Sequence, residues 1–184
     1  EMLQLVEIAP PDVAVLTKVA LAHAEFFPGG IEEIAREKKG VFSQPNTKIA
    51  ILPSGIDLEL FQGKVVCFSQ EDRGADYFLS TADEIDFIDE RAIRAHMFAL
   101  PFKEPHLLYN LLAAIAAARQ MHLSWEEIQR QIPHLKTPKM RFEQFEREGI
   151  CFINDAYNAN PESVRAALSS LPQPKEGGKR LAIL

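Results

Sequence analysis

The chain has 184 residues and a formal net charge of −6, with 47% hydrophobic and 25% charged residues. That suits one globular domain, or one domain and the edge of another, able to hold a core without disulfide or metal staples. The acidic balance excludes a broad basic face and so nucleic acid as the main partner, and the longest apolar stretch, 107–118, is too short for a membrane span.

Met2 to Ile8 carry apolar residues at 2, 3, 5, 6 and 8, the period of an amphipathic helix, which Pro10 and Pro11 end. Val13–Leu16 is a short apolar run and predicts a buried parallel strand. A loop containing His23 follows. Ile31, Ile34 and Ala35 then predict a short helix within 30–42, and 48–52 predicts a second buried strand. This order predicts an α/β fold with parallel pairing. From Lys64 to Phe98 the runs KVVCFS, ADYFLS, IDFID and AIRAHMFAL are short and partly alternating, and predict a small antiparallel section. Residues 105–123 form the longest helix, apolar on nearly every face and therefore buried. Ser124 with Glu127 three residues later predicts a capping box. Strands RFEQFE and GICFIN follow, then the polar turn DAYNAN and a helix opened by Pro161. Residues 172–179 concentrate Pro, Gly and charge and read as a linker. KRLAIL at the end reads as a strand just begun.

The chain opens at Glu1 inside an apolar-periodic stretch and stops at Leu184 inside that last run, so it is expected to be a piece of a longer protein. No secretory leader pattern opens it. Cys67 and Cys151 form no CxxC and no metal spacing, so reduced thiols in the cytoplasm are expected.

The most specific segment is Asn154–Ser163, NDAYNANPES. A strand ends in an acid, small and amide residues turn the chain, and a helix starts at a proline. Ligands of α/β sheets bind at such crossings. The amides of Asn158 and Asn160 both donate and accept, which suits a nucleobase edge or a phosphate oxygen. The same residues also suit a capped turn for local reasons alone.

NDAYNANPESVRAAL resembles the DDSYNANPxSMxxAL segment of the Mur ligase family, closest to the branch that adds D-Ala-D-Ala. The resemblance extends along the chain. APPDVAVLTKVALAHAEFF is similar to the family's strand and loop ending in AHLExF, and GGIEEIAREKKGVF to the helix SLxxIAxAKGEIF. LPFKEPHLLYNLLAAIAAA is similar to LPGxHNxxNALAAAA, PKMRFE to PGRxE, and KRLAIL to the first strand of the third domain.

The resemblance implies an α/β architecture, a mainly parallel sheet flanked by helices with a small antiparallel section. It is that of the central ATPase domain without its phosphate-loop end. Residues 1–175 would be the C-terminal part of that ATP-binding domain, and 176–184 a linker and the first strand of the next. The implied activity is ATP-dependent amide-bond formation through an acyl phosphate, adding D-Ala-D-Ala to UDP-MurNAc-tripeptide for peptidoglycan, by a cytoplasmic monomer. Implied cofactors are ATP, two Mg²⁺ ions and CO₂ held as a lysine carbamate.

Carried residue by residue, His23 matches a histidine that helps hold the second Mg²⁺, and Lys38 the carbamylated lysine. A lysine whose charged form is disfavoured can capture CO₂ and become an anionic oxygen ligand. Lys39 is a rival, but the spacing from Ala35 favours Lys38. Asn160 matches the adenine-contacting asparagine, with Asn158 and Tyr157 beside it. His106 and Asn110 match residues at a helix start, where anionic ligands or simple caps are both at home. Arg141 could hold a phosphate or carboxylate bidentately, or pair with a neighbouring Glu. Departures from the family pattern fall at Lys18, Ala24, Glu104, Pro105, Leu107 and at Met140, which replaces a glycine. No GxxxxGK[ST] occurs, and EGGKR (176–180) is not one. The chain alone is therefore expected to be inactive. Alternatives are a sister Mur or folylpolyglutamate-type ligase with another acceptor, and a non-catalytic relative.

Overall fold

Ala50, Ile51 and Leu52 expose no surface, because the strand they form is covered on both faces. Ile51 packs in one hydrophobic cluster, while Ala50 and Leu52 pack in a second. A strand buried twice over reads as an unbroken apolar run, which is why IAIL carries no alternation. The computed structural model describes residues 2–19, 27–82, 85–91, 94–137, 139–157, 159, 161–174 and 177–183. The chain divides into two compact units, 1–136 and 137–184.

The first unit opens with helix α1 (Met2–Ile8) and strand β1 (Val13–Val15). Helix α2 (Gly30–Lys39) runs into a 3₁₀ turn at Gly40–Phe42, so the helix expected within 30–42 tightens in its last residues. Strands β2 (Ile49–Pro53), β3 (Lys64–Ser69), β4 (Tyr77–Ala82), β5 (Ile85–Glu90) and β6 (Arg94–Phe98) follow. The sheet order is β1-β2-β3-β4-β5-β6. β1, β2, β3 and β4 pair in parallel, and β4-β5-β6 are antiparallel.

The antiparallel section therefore starts at Tyr77, not at Lys64, and it continues the parallel sheet. Residues 70–76 are too few for an ordinary parallel crossover, which takes about a dozen residues. The pairing is possible because only Phe68 and Ser69 meet Tyr77 and Phe78: β4 begins where β3 ends.

Helix α3 (Pro105–Gln120) lies across this sheet and buries Leu108, Leu111, Leu112, Ala113, Ile115 and Ala116. Each large side chain so buried contributes about 1.5–3 kcal/mol, far more than differences in helix propensity. α3 ends in a Schellman pattern, with Leu123 N–H bonded to the Ala118 carbonyl and His122 N–H to that of Arg119, each at 3.1 Å. His122 takes the left-handed position there, at φ 67°. The capping box expected at Ser124 is present on α4 (Trp125–Gln131): Ser124 Oγ accepts from Glu127 N–H at 3.2 Å, and Ser124 N–H donates to Glu127 Oε2 at 2.7 Å.

Glu90 ties these elements together. Its carboxylate accepts from the Tyr77 hydroxyl at 2.8 Å, from Trp125 Nε1 at 2.9 Å and from Arg119 at 3.2 Å. Gln120 Nε2 donates to the Tyr77 oxygen at 3.0 Å, and His96 stacks on Trp125 with ring centroids 4.0 Å apart. Burial alone would raise the Glu90 carboxyl, but the hydrogen bonds from Tyr77, Trp125 and Arg119 outweigh it and hold it below its ordinary value.

The second unit holds the hairpin β7 (Glu143–Arg147) and β8 (Ile150–Asn154) and the helix α5 (Pro161–Ser169). Glu148 and Gly149 join the strands at φ 53° and 75°, the double left-handed turn that fits hairpin twist. Residues 181–183 form no strand, contrary to the reading of KRLAIL; Leu181 and Ile183 are exposed, and no neighbouring strand pairs with them. Among the described residues no helix is long and apolar enough to cross a membrane.

Candidate functional site

The parallel strands β1, β2 and β3 end on one edge of the sheet, at Val15, Pro53 and Ser69. β6 runs in the same direction, and a short connection from Phe98 brings Pro105, the start of α3, to that edge. Tyr109 in the first turns of α3 packs on Phe68 with ring centroids 5.0 Å apart. Burial, with the Glu71 charge second, raises the Tyr109 hydroxyl above its ordinary value. The carboxyl ends of the strands and the amino end of the longest helix thus meet, the setting in which α/β sheets bind ligands.

Lys38 reaches this edge. Its Nζ donates to the Lys18 carbonyl at 3.1 Å, just past the end of β1. The contact uses backbone, so the departure from asparagine at position 18 does not alter it. An ammonium donor of this kind does not ligate Mg²⁺, which takes oxygen ligands; a carbamate on the same nitrogen would. Among the described residues no three His, Cys, Asp or Glu side chains group as a metal site. His23, the other expected ligand, lies outside the described residues, as does Ala24.

His106 and Asn110 sit four residues apart at the start of α3 and so share one side of the helix. His106 is half-buried and Asn110 exposed. On the same sheet edge Ser69 Oγ accepts from the N–H groups of Glu71 and Asp72, at 3.0 and 2.9 Å. Asp72 in turn accepts from the Ser54 hydroxyl and from Gly74 N–H, which hold its carboxyl below the ordinary value. These bonds close the loop after β3.

In the second unit the turn preceding β7 faces the turn following β8. Phe142 N–H donates to Asp155 Oδ1 at 2.8 Å, and Tyr157 N–H donates to the Met140 carbonyl at 3.1 Å. Met140 N–H donates to Glu143 Oε2 at 3.0 Å. The Arg141 guanidinium lies over the Tyr157 ring, 4.3 Å from its centroid. Glu143 is engaged with backbone, and among the described residues Arg141 pairs with no carboxylate. Asn158 and Asn160 lie outside the described residues.

Two contributors carry no role in the sequence pattern. Asp155 is there only an acid ending a strand; in the structure it holds the Phe142 backbone. Met140 is there a departure from glycine. Its φ of 60° is the signal that explains the glycine of the pattern, since left-handed backbone is where glycine is at home.

The family described as the Mur ligase middle domain matches residues 1–118. The UDP-N-acetylmuramoyl-tripeptide--D-alanyl-D-alanine ligase of Treponema pallidum is 35% identical over 183 residues, covering 91% of this chain and 37% of that protein. The enzyme of the same description from Bacillus subtilis is 29% identical, covering 98% of this chain and 40% of its own length. Among solved structures, that of the MurF ligase of Thermotoga maritima in complex with ADP superimposes with a TM-score of 0.77 at 26% identity, covering 94% of this chain and 42% of that one. The chain thus spans about two-fifths of the relatives it matches.

Proposed function

Because the chain belongs to the Mur ligase family, whose middle domain it matches over residues 1–118, we propose that it is the greater part of the ATP-binding central domain of a ligase adding D-Ala-D-Ala to UDP-MurNAc-tripeptide. Residues 1–175 are assigned to that domain, and 176–184 to a linker and the start of the next. The observation that carries the branch is NDAYNANPES at 154–163. The 35% identity to a ligase described with that substrate supports it.

The whole protein would join the tripeptide carboxylate to the dipeptide amine, with ATP supplying the phosphoryl group that activates the carboxylate. Mg²⁺, when bound, would neutralise charge on the transferring phosphoryl group. Lys38, once carbamylated, is proposed to serve that chemistry, with His23 as its partner; the Lys38 bond to the Lys18 carbonyl at the sheet edge supports this. Asn160, flanked by Asn158, is assigned to the adenine, Arg141 to phosphate, and His106 and Asn110 to the nucleotide side of α3. With no GxxxxGK[ST] in its sequence, the chain by itself is proposed not to turn over ATP. A cytoplasmic, monomeric protein acting on small molecules fits this reading.

The test is phosphate release by the protein at its full natural length with ATP, Mg²⁺, UDP-MurNAc-tripeptide and D-Ala-D-Ala. Release is expected to need all the substrates. In Lys38→Ala it is expected to fall roughly 100-fold or more, the cost of losing one transition-state contact, and to return with added short-chain carboxylate. Release with a single amino acid or a folate in place of the dipeptide would move the protein to a sister ligase. No release with any acceptor would make it a non-catalytic relative.

A further inference from the structure

Arg141 stands between two residues held in left-handed backbone, Met140 at φ 60° and Phe142 at φ 50°. Neither is glycine, asparagine or aspartate, and each costs about 1–2 kcal/mol in that conformation. Strain of this kind persists only where surrounding contacts fix it, and it gathers at sites of function. Three hydrogen bonds fix it here. Asp155 Oδ1 holds Phe142 N–H, Tyr157 N–H holds the Met140 carbonyl, and Glu143 holds Met140 N–H. Phe142 is buried, and Arg141 is exposed. The turn is pinned at both ends, while the one charged side chain in its middle meets no carboxylate among the described residues. That side chain is not loose, because its guanidinium rests on the Tyr157 ring at 4.3 Å. Stacking occupies the flat face of a guanidinium and leaves its N–H edges for an anion.

We propose that Tyr157 is a positioning residue: its ring, on a turn bolted to the Arg141 turn, holds the guanidinium ready for the phosphates of the nucleotide. This rests on the assignment of Arg141 to the nucleotide made above. Fixing a long side chain before binding removes part of the ordering cost at the moment of binding. Tyr157 therefore acts through Arg141 and needs no contact with the ligand. The hydroxyl has no part in this, so phenylalanine at 157 keeps the function and an aliphatic residue loses it.

The experiment is a double-mutant cycle in the full-length protein, reading KM for ATP, kcat and the thermal midpoint. Arg141→Ala is expected to raise KM for ATP at least about tenfold, the loss of a charge-assisted contact. Tyr157→Leu is expected to raise it about fivefold, the scale of an exposed cation–π contact, with the thermal midpoint and kcat little moved. Tyr157→Phe leaves KM within about twofold. In the Arg141→Ala background, Tyr157→Leu adds nothing, because the residue it positions is gone. An equal further loss in that background means Tyr157 acts on its own or on the fold, and overturns the inference while leaving the nucleotide assignment intact. An unchanged KM in Arg141→Ala overturns the assignment itself, and the inference with it.

Discussion

Left-handed backbone at non-glycine residues is the clearest signature at the scale of single residues. His122 closes α3 at φ 67°, and Met140 opens the Arg141 turn at φ 60°. Glycine at either position removes about 1–2 kcal/mol of local strain and adds about 0.5–1 kcal/mol of unfolded-state entropy. His122→Gly and Met140→Gly are thus each expected to gain up to about 1.5 kcal/mol, seen as a higher denaturant midpoint at unchanged slope. A loss at Met140 would mean that its side chain carries packing which outweighs the strain. Single residues of the site are unevenly legible in the sequence. A motif names Lys38, Asn160 and Arg141 by type and spacing. It cannot say that Lys38 reaches the Lys18 carbonyl, or that Asp155 is spent on backbone, because those facts depend on which turns the fold sets opposite each other.

Elements of unit 1 are joined through one carboxylate. Glu90 lies at the end of β5 and gathers donors from β4, α3 and α4. Folded Glu90 holds its proton less tightly than the ordinary glutamate at 4.5, so its contribution is full above that pH and is lost as pH falls through the depressed value. Tyr77 works the other way. Burial first, then its bond to Glu90, raises its hydroxyl above the ordinary 10.0, so its contribution is full below that pH and is lost as pH rises past it. Stability of unit 1 is therefore expected to show a plateau with an acid and an alkaline flank. Glu90→Gln should lower the plateau by about 1–2 kcal/mol and flatten the acid flank, measured by urea unfolding across pH. A parallel shift with the acid flank kept would remove Glu90 as its cause. The sequence marked the bounds of most of these elements, because periodicity and capping are local. It misplaced β3, because nothing in KVVCFS states whether its neighbour runs parallel or antiparallel; that is decided by a loop that returns the chain by only two residues of register.

For the chain as a whole, burial is unequal. The first unit contains both hydrophobic clusters, with Ile51, Val66, Phe68, Ile88, Leu112 and Ala116 fully enclosed. The second exposes Phe145, Ile150 and Phe152 on its hairpin, and Leu168, Leu181 and Ile183 beyond it. Amide exchange is therefore expected to be slowest in α3 and the central strands and fastest in β7, β8 and α5. Protection of the hairpin equal to that of β2 would refute this ranking. The overall architecture was legible because its strands and helices alternate with clear breaks. The last run, KRLAIL, was not, since an apolar run becomes a strand only beside another one.

Trp125 gives that ranking an optical handle. It is the only tryptophan in the chain, it belongs to the first unit, and it is 9% exposed. Its indole emission reports α4 against the sheet. With the His96 imidazole stacked on its face and the Glu90 carboxylate on its N–H, that emission also reads the contacts that hold α4, as a red shift when the helix lifts away.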